Sequence, residues 1–363
     1  MIAPPSLQTV RSVLVIQFRF MGDLVLLSAL LHNLRLHFPR AHLAVLCDES
    51  YRPVLEAQPD VDEIMTFGRE RTRRGPIHGR FGEWLRAVRA LHARRFDLAI
   101  DAADTRTSYL AMRLARARLR VGYRPSQRRR KFWEGQPYNV FAEPFGPGGK
   151  HFLDRYLAPL AALGLRVIDR EPRLRARPED RAAVAALMRE HGLSRRGFAV
   201  VHPGARVPNR CWPPGNFARV VDKIEGPARL RAVLVGGVPE RELADAILAA
   251  TASEPVDLVG QLSFGALLAL LQQCRLYVGN DTGPMHLAAA AGAPVVALFG
   301  LQSPELWGPV GADHIVVRPS MPCPCPTPEI CRPPEPNATL CVRRNPVEDV
   351  IAAVRTILAR QAV

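Results

Sequence analysis

GNDTGPMHLAAAAGAPVVALFG, residues 279–300, is the stretch that decides how this chain is read. It follows the apolar run LYV at 276–278, so a strand is expected to end in the polar turn 279–283. Pro284 stands where a first helical residue would: its fixed φ suits that place and its missing N–H costs nothing there. The alanine-rich segment 285–291 has good helix propensity, and Gly292 and Pro294 stop it before an apolar strand expected at 294–299. Such a strand, turn, helix, strand unit aims several backbone N–H groups from the helix start at the carboxyl end of a sheet, where they can hold a phosphate. Asp281, Thr282 and His286 are therefore expected to line a cleft rather than a core.

The same alternation runs outward in both directions. Towards the amino end, VLVIQF at 13–18 suits a central parallel strand, followed by a turn at 19–23 and an apolar helix at 24–38. Strands are expected at 43–47, 63–67, 98–101 and 121–123, with helices at 83–94, 105–117 and 151–163, the last closed by Gly164. Residues 169–178 lack apolar periodicity and hold two prolines, as a linker would. The pattern then restarts, with strands at 198–202, 232–235 and 256–259 and helices at 179–191, 216–224, 240–250 and 264–274. Pro and Cys crowd 321–341, and a final amphipathic helix at 346–360 is expected to start with Asn345 as its cap. This predicts α/β architecture in two doubly wound domains, 1–172 and 173–345, followed by the helix of 346–363.

A length of 363 residues and 48% hydrophobic content with only 7% aromatics agree with two such domains. No apolar run approaches the roughly 18 residues of a membrane span, and the opening MIAPP has no basic segment leading into an apolar core. A cytoplasmic protein is expected. The net charge of +15 favours anionic partners, and part of the excess is clustered. Arg69, Arg71, Arg73, Arg74 and Arg80 form one basic loop; the run 128–131, beside Phe132 and Trp133, forms another. Both also read as solvated faces. No ladder of stacking aromatics accompanies them, so nucleic acid is not the expected partner.

The motifs narrow the chemistry. The first strand is not followed by GxGxxG, and there is no GK[ST] loop, so dinucleotide and ATPase readings lose their main support. Instead Gly22 and Asp23 stand at a helix start, where an aspartate serves either the helix dipole or a reaction. HPGAR at 202–206 and NRCWP at 209–213 follow the first strand of the second half, and Glu240 comes just after VGG at 235–237. Glu240 reads equally as a dipole partner, Arg210 as a surface cation and His286 as a structural histidine. Cys323, Cys325, Cys331 and Cys341 are spaced C-x-C-x5-C-x9-C, which departs from paired zinc-ligand spacing; a structural or unoccupied cluster is expected there.

With GD at 22–23, PGA at 203–205, GG at 236–237 and DTGPMH at 281–286, the chain resembles the ADP-heptose:lipopolysaccharide heptosyltransferase family. The resemblance implies the two-domain glycosyltransferase B (GT-B) architecture, Rossmann-like halves facing across a cleft, with the terminal helix crossing back to the first. It implies Asp23 as general base taking the acceptor proton. Arg210, where the family usually has Lys, would meet charge building on the departing diphosphate. Gly204, Ala205, Glu240, Asp281, Thr282, Gly283 and His286 would hold the donor. Implied too are an inverting displacement, ADP-heptose as donor, no metal or other cofactor, and an anionic lipopolysaccharide-core acceptor at the inner membrane surface. A related sugar-nucleotide enzyme with another donor, and a non-catalytic basic protein on the same fold, are the other readings.

Overall fold

The computed structural model describes residues 7–68, 89, 91–124, 137–145, 151–207, 210–226, 228, 230–300, 302–319 and 341–361. Both basic segments, Cys323, Cys325, Cys331 and most of the helix expected at 83–94 lie outside the described residues. The chain divides into two compact units, Met1–Leu174 and Arg175–Val363.

In the first unit, β1 (Ser12–Gln17), β2 (His42–Asp48), β3 (Glu63–Phe67), β4 (Leu98–Asp101), β5 (Leu119–Tyr123) and β6 (Val140–Ala142) form one sheet in the order β3-β2-β1-β4-β5-β6. All neighbours pair in parallel. Five of the six β1 residues are buried, as a strand covered on both faces requires, and this is why it reads as an unbroken apolar run. Four described helices accompany the sheet: α1 (Met21–His37), α2 (Arg52–Glu56), α3 (Arg106–Leu114) and α4 (Phe152–Ala162). Helix α1 begins three residues earlier than the apolar pattern indicated, which puts Gly22 and Asp23 in its first turn. Helix α3 opens on a capping box between Thr105 and Ser108. His151 caps α4, its Nδ1 accepting from the Leu153 N–H at 3.0 Å. Gly164 follows that helix at φ 72°, the left-handed conformation expected of it.

The second unit repeats the winding. Strands β7 (Phe198–His202), β8 (Arg231–Leu234), β9 (Val256–Asp257), β10 (Leu276–Asn280), β11 (Val295–Leu298) and β12 (Ile315–Val317) lie in the order β12-β11-β10-β7-β8-β9. Its described helices are α5 (Pro178–Glu190), α6 (Pro214–Glu225), α7 (Arg241–Ala250), α8 (Phe264–Leu271), α9 (Gly283–Ala290), α10 (Pro304–Trp307) and α11 (Val347–Arg360). Ser263 caps α8 as expected, accepting from the Ala266 N–H at 3.1 Å. Three features differ from expectation. Gly279 and Asn280 continue β10 instead of opening the turn. Edge strands β6 and β12, three residues each, are too short to leave a pattern in the sequence. Asn345 does not cap α11: Pro346 takes that position, and the Asn345 Nδ2 donates to the carbonyls of Phe299 (3.1 Å), just past β11, and of Val317 (3.4 Å), the last residue of β12.

The apolar stripe of α11 is used inside the second unit. Val347, Val350, Ile351, Val354 and Ile357 join one buried cluster with Trp212, Phe217, Val220, Val221 and Ile224. Burying each side chain of this size contributes about 1.5–3 kcal/mol, so the helix is integral to that core. Among the described residues no helix is long and apolar enough to cross a membrane.

Candidate functional site

Where strand order reverses in a doubly wound sheet, the crevice outside the carboxyl ends of the two adjacent strands is the usual ligand site. In the second unit these strands are β7 and β10, paired from Ala199↔Leu276 to His202↔Gly279. Gly204 and Ala205 leave from β7, Arg210 follows a few residues on, Glu240 follows the neighbouring β8, and Asp281, Thr282, Gly283 and His286 follow β10. The donor-site residues expected in this half thus gather at one edge of one sheet.

Contacts tie them together. A Cβ at Gly204 would lie 2.4 Å from Glu240 Cγ, so the missing side chain is what lets Glu240 rest against the loop. Glu240 Oε2 also accepts the Gly237 N–H at 2.7 Å. Arg210 Nη1 stands 3.7 Å from Asp281 Oδ2, an ion pair too long to be a hydrogen bond. Burial pushes the Asp281 carboxyl up to about 6, with Arg210 pulling it back. Among the described residues Asp281 is the carboxylate paired with Arg210, whose side chain keeps 31% of its surface open.

The edge is more closed than the sequence indicated. Gly204, Asp281 and His286 are buried, and Ala205, Arg210, Glu240, Thr282 and Gly283 form the accessible part. The N–H donors are also fewer than the several expected. Pro284 has none, and those of Met285 and His286 donate to the Thr282 carbonyl (3.1 and 3.4 Å). The Gly283 N–H is the first-turn donor of α9 left to a ligand among the described residues. A partial positive charge at the helix end adds to it.

Asn280 was not singled out by sequence reasoning. It is fully buried at the end of β10. Its Nδ2 donates to the carbonyls of Pro203 (2.7 Å) and Gly204 (3.3 Å), and its Oδ1 accepts from the Trp212 N–H at 3.1 Å. A polar residue closing an otherwise apolar strand was the available signal. His202, one strand over, is buried with its Nδ1 lacking a partner among the described residues, and burial lowers the ring to about 4, so it is neutral.

In the first unit the reversal lies between β1 and β4. Asp23, in the first turn of α1 after β1, is only 5% exposed. Tyr156 on α4 donates its hydroxyl to Asp23 Oδ1. Burial raises the Asp23 carboxyl above the ordinary range, and the Tyr156 hydroxyl and the Arg19 charge oppose that rise. Arg19 is steadied by its Nε donating to the Ala103 carbonyl at 3.0 Å, beyond the end of β4. Nearby on α4, Arg155 pairs with Asp104 at 3.0 Å and lies 4.0 Å over the Tyr123 ring. A buried carboxylate with raised proton affinity beside Arg19 has the chemistry of a proton acceptor. Tyr156 too was missed, because an aromatic on a helix reads as core.

A family model described as glycosyltransferase family 9 (heptosyltransferase) matches residues 84–329. The chain is 25% identical over 296 residues to lipopolysaccharide heptosyltransferase 3 of Escherichia coli, a match covering 80% of this chain and 84% of that protein. It is 27% identical over 326 residues to lipopolysaccharide heptosyltransferase 2 of Salmonella typhimurium, covering 84% and 87%. The solved structure of the E. coli ADP-heptose lps heptosyltransferase II superposes with a TM-score of 0.74 at 22% identity, covering 97% of this chain and 100% of that one.

Proposed function

The chain belongs to glycosyltransferase family 9, the heptosyltransferases, and from that premise we propose that it moves a heptose from ADP-heptose to the lipopolysaccharide inner core in one inverting displacement. The carboxylate of Asp23 takes the proton of the acceptor hydroxyl. That oxygen attacks the anomeric carbon from the face opposite the diphosphate, the carbon–oxygen bond to the diphosphate breaks, and ADP departs with the bonding pair. Negative charge building on the departing oxygen is met by Arg210, by the Gly283 N–H and by the positive end of α9, so the reading assigns no step to a metal. Glu240 is suited to ribose hydroxyls, as carboxylates in nucleotide sites of doubly wound sheets are. Arg19, half-buried beside Asp23, suits an acceptor that carries phosphates or carboxylates, with the reaction at the inner face of a membrane.

The observation that supports this most is the convergence of Gly204 on Glu240 and of Arg210 on Asp281 at the β7/β10 reversal, beside the start of α9. Thermal unfolding in the presence of ADP, ADP-heptose and UDP tests it. ADP and ADP-heptose are expected to raise the midpoint, by RT ln(1 + [L]/Kd), and UDP to leave it in place. Equal stabilisation by UDP would point to another donor. No response to any nucleotide, in a protein that still binds anionic lipid, would remove the enzymatic reading.

A further inference from the structure

We infer that Asn280 is the positioning residue of the nucleotide-sugar site, its one carboxamide holding in common register the three chain segments that carry the donor-binding groups. The inference rests on the reading of that edge as the site of an ADP-sugar. Three of the four hydrogen-bonding positions of the amide are used, each on a different backbone group. Nδ2 takes the carbonyls of Pro203 and Gly204, which fixes the loop against which Glu240 rests. Oδ1 takes the Trp212 N–H, two residues beyond Arg210. The carbonyl of Asn280 itself accepts the Thr282 hydroxyl at 3.2 Å, which fixes the turn leading into Gly283.

A buried strand end has no need of an amide for packing, since Val or Leu would fill the space. The need comes from the neighbours. Two loops present inward carbonyls and an inward N–H at the same point, and leaving these unpaired in a dry interior is costly. On the far side, Trp212 is held by its Nε1–H donating to the Asn345 carbonyl at 3.1 Å and by edge contact with Phe217, ring centroids 5.1 Å apart. The Trp212 ring is therefore anchored without Asn280, whereas the backbone that leads back to Arg210 is tied by Asn280 at Trp212 and by the Arg210 N–H donating to the Val207 carbonyl at 2.9 Å, in the loop whose start Asn280 also holds. Loss of the amide frees Arg210 relative to Thr282 and Gly283 while most of the core stays in place.

The test is calorimetric titration of ADP into the unaltered chain, Asn280→Ala, Asn280→Ser, Arg210→Ala and the Asn280→Ala/Arg210→Ala pair. Asn280→Ala is expected to bind one ADP per chain about 10- to 100-fold more weakly, and Asn280→Ser, which keeps one donor, to lie between it and the unaltered chain. Arg210→Ala is expected to cost about tenfold alone but less than about threefold in the Asn280→Ala background, because a cation already out of register has little left to lose. A purely stabilising role predicts otherwise: a lower thermal midpoint and fewer binding-competent chains, with those that bind retaining the original affinity. That result, or additive costs in the pair, would overturn the inference while leaving the nucleotide-sugar reading intact. Failure of the unaltered chain to bind ADP would overturn both.

Discussion

Replacing Tyr156 by Phe removes one oxygen from a fully buried side chain and leaves its ring in place. That oxygen donates to Asp23 Oδ1, and the tyrosine holds its proton far above its ordinary range, chiefly because it is buried, so it is a donor at every working pH. A hydrogen bond to a charged acceptor is worth about 1.5–3 kcal/mol, and because it favours the ionised form its loss raises the carboxyl further. The direction adds to the rise that burial already imposes, and of the opposing groups Arg19 and the backbone hydrogen bonds at Phe20 and Asp23 remain. Because Asp23 must be ionised to accept a proton, the acid limb of kcat/KM should move to higher pH. Well above the limb the rate should equal or slightly exceed the original, since a more basic carboxylate is the better proton acceptor. Initial rates of sugar transfer measured from about pH 5 to about pH 9, with donor KM recorded at each point, would show this. A limb that stays in place while the rate falls equally at every pH would refute the assignment of Asp23 as the base governed by Tyr156.

Asp23→Asn should lower turnover by about 10²- to 10⁴-fold with ADP affinity unchanged. It should also raise the thermal midpoint at neutral pH: a carboxyl whose folded value is raised favours folding at low pH and loses that contribution as pH climbs through it. Asp281 obeys the same sign. Its rise from 3.8 to about 6 spans about 2 pH units, or about 3 kcal/mol, so urea unfolding should show Asn at this position gaining about that much over the native residue between pH 4 and pH 8. Gly204→Ala should leave the fold intact and weaken ADP, because the new methyl displaces the Glu240 side chain, which can swing outward; an unchanged Kd would remove Glu240 from the site.

Much of the architecture was legible because parallel strands buried on both faces must be apolar throughout. The runs at 13–18 and 198–202 could hardly be anything else, and the Ala-rich helix with glycine and proline at its ends announced α9. The edge strands β6 and β12, three residues each, were not legible, whereas the two-residue edge strand β9 was read only as part of the longer run 256–259. Residues that act through distant partners were the other blind spot. Tyr156 meets Asp23 across 133 positions and Asn280 meets Pro203 across 77, and no local pattern records such a meeting. Asn345 was misread for the same reason: next to proline it looks like a helix cap, yet its amide serves carbonyls 28 and 46 positions away.

The way α11 is built into its unit carries a consequence for biosynthesis. On a ribosome, the six strands of the first unit emerge complete while the second is still being made, and they can close their sheet at once. The second cannot. Until residues 347–357 have cleared the exit tunnel, Phe217, Val220 and Ile224 lack their covering helix and lie open to chaperones and proteases. Premature stop codons upstream of α11 would therefore yield a product with a finished amino-terminal half and a sticky carboxyl-terminal one, prone to degradation in the cell.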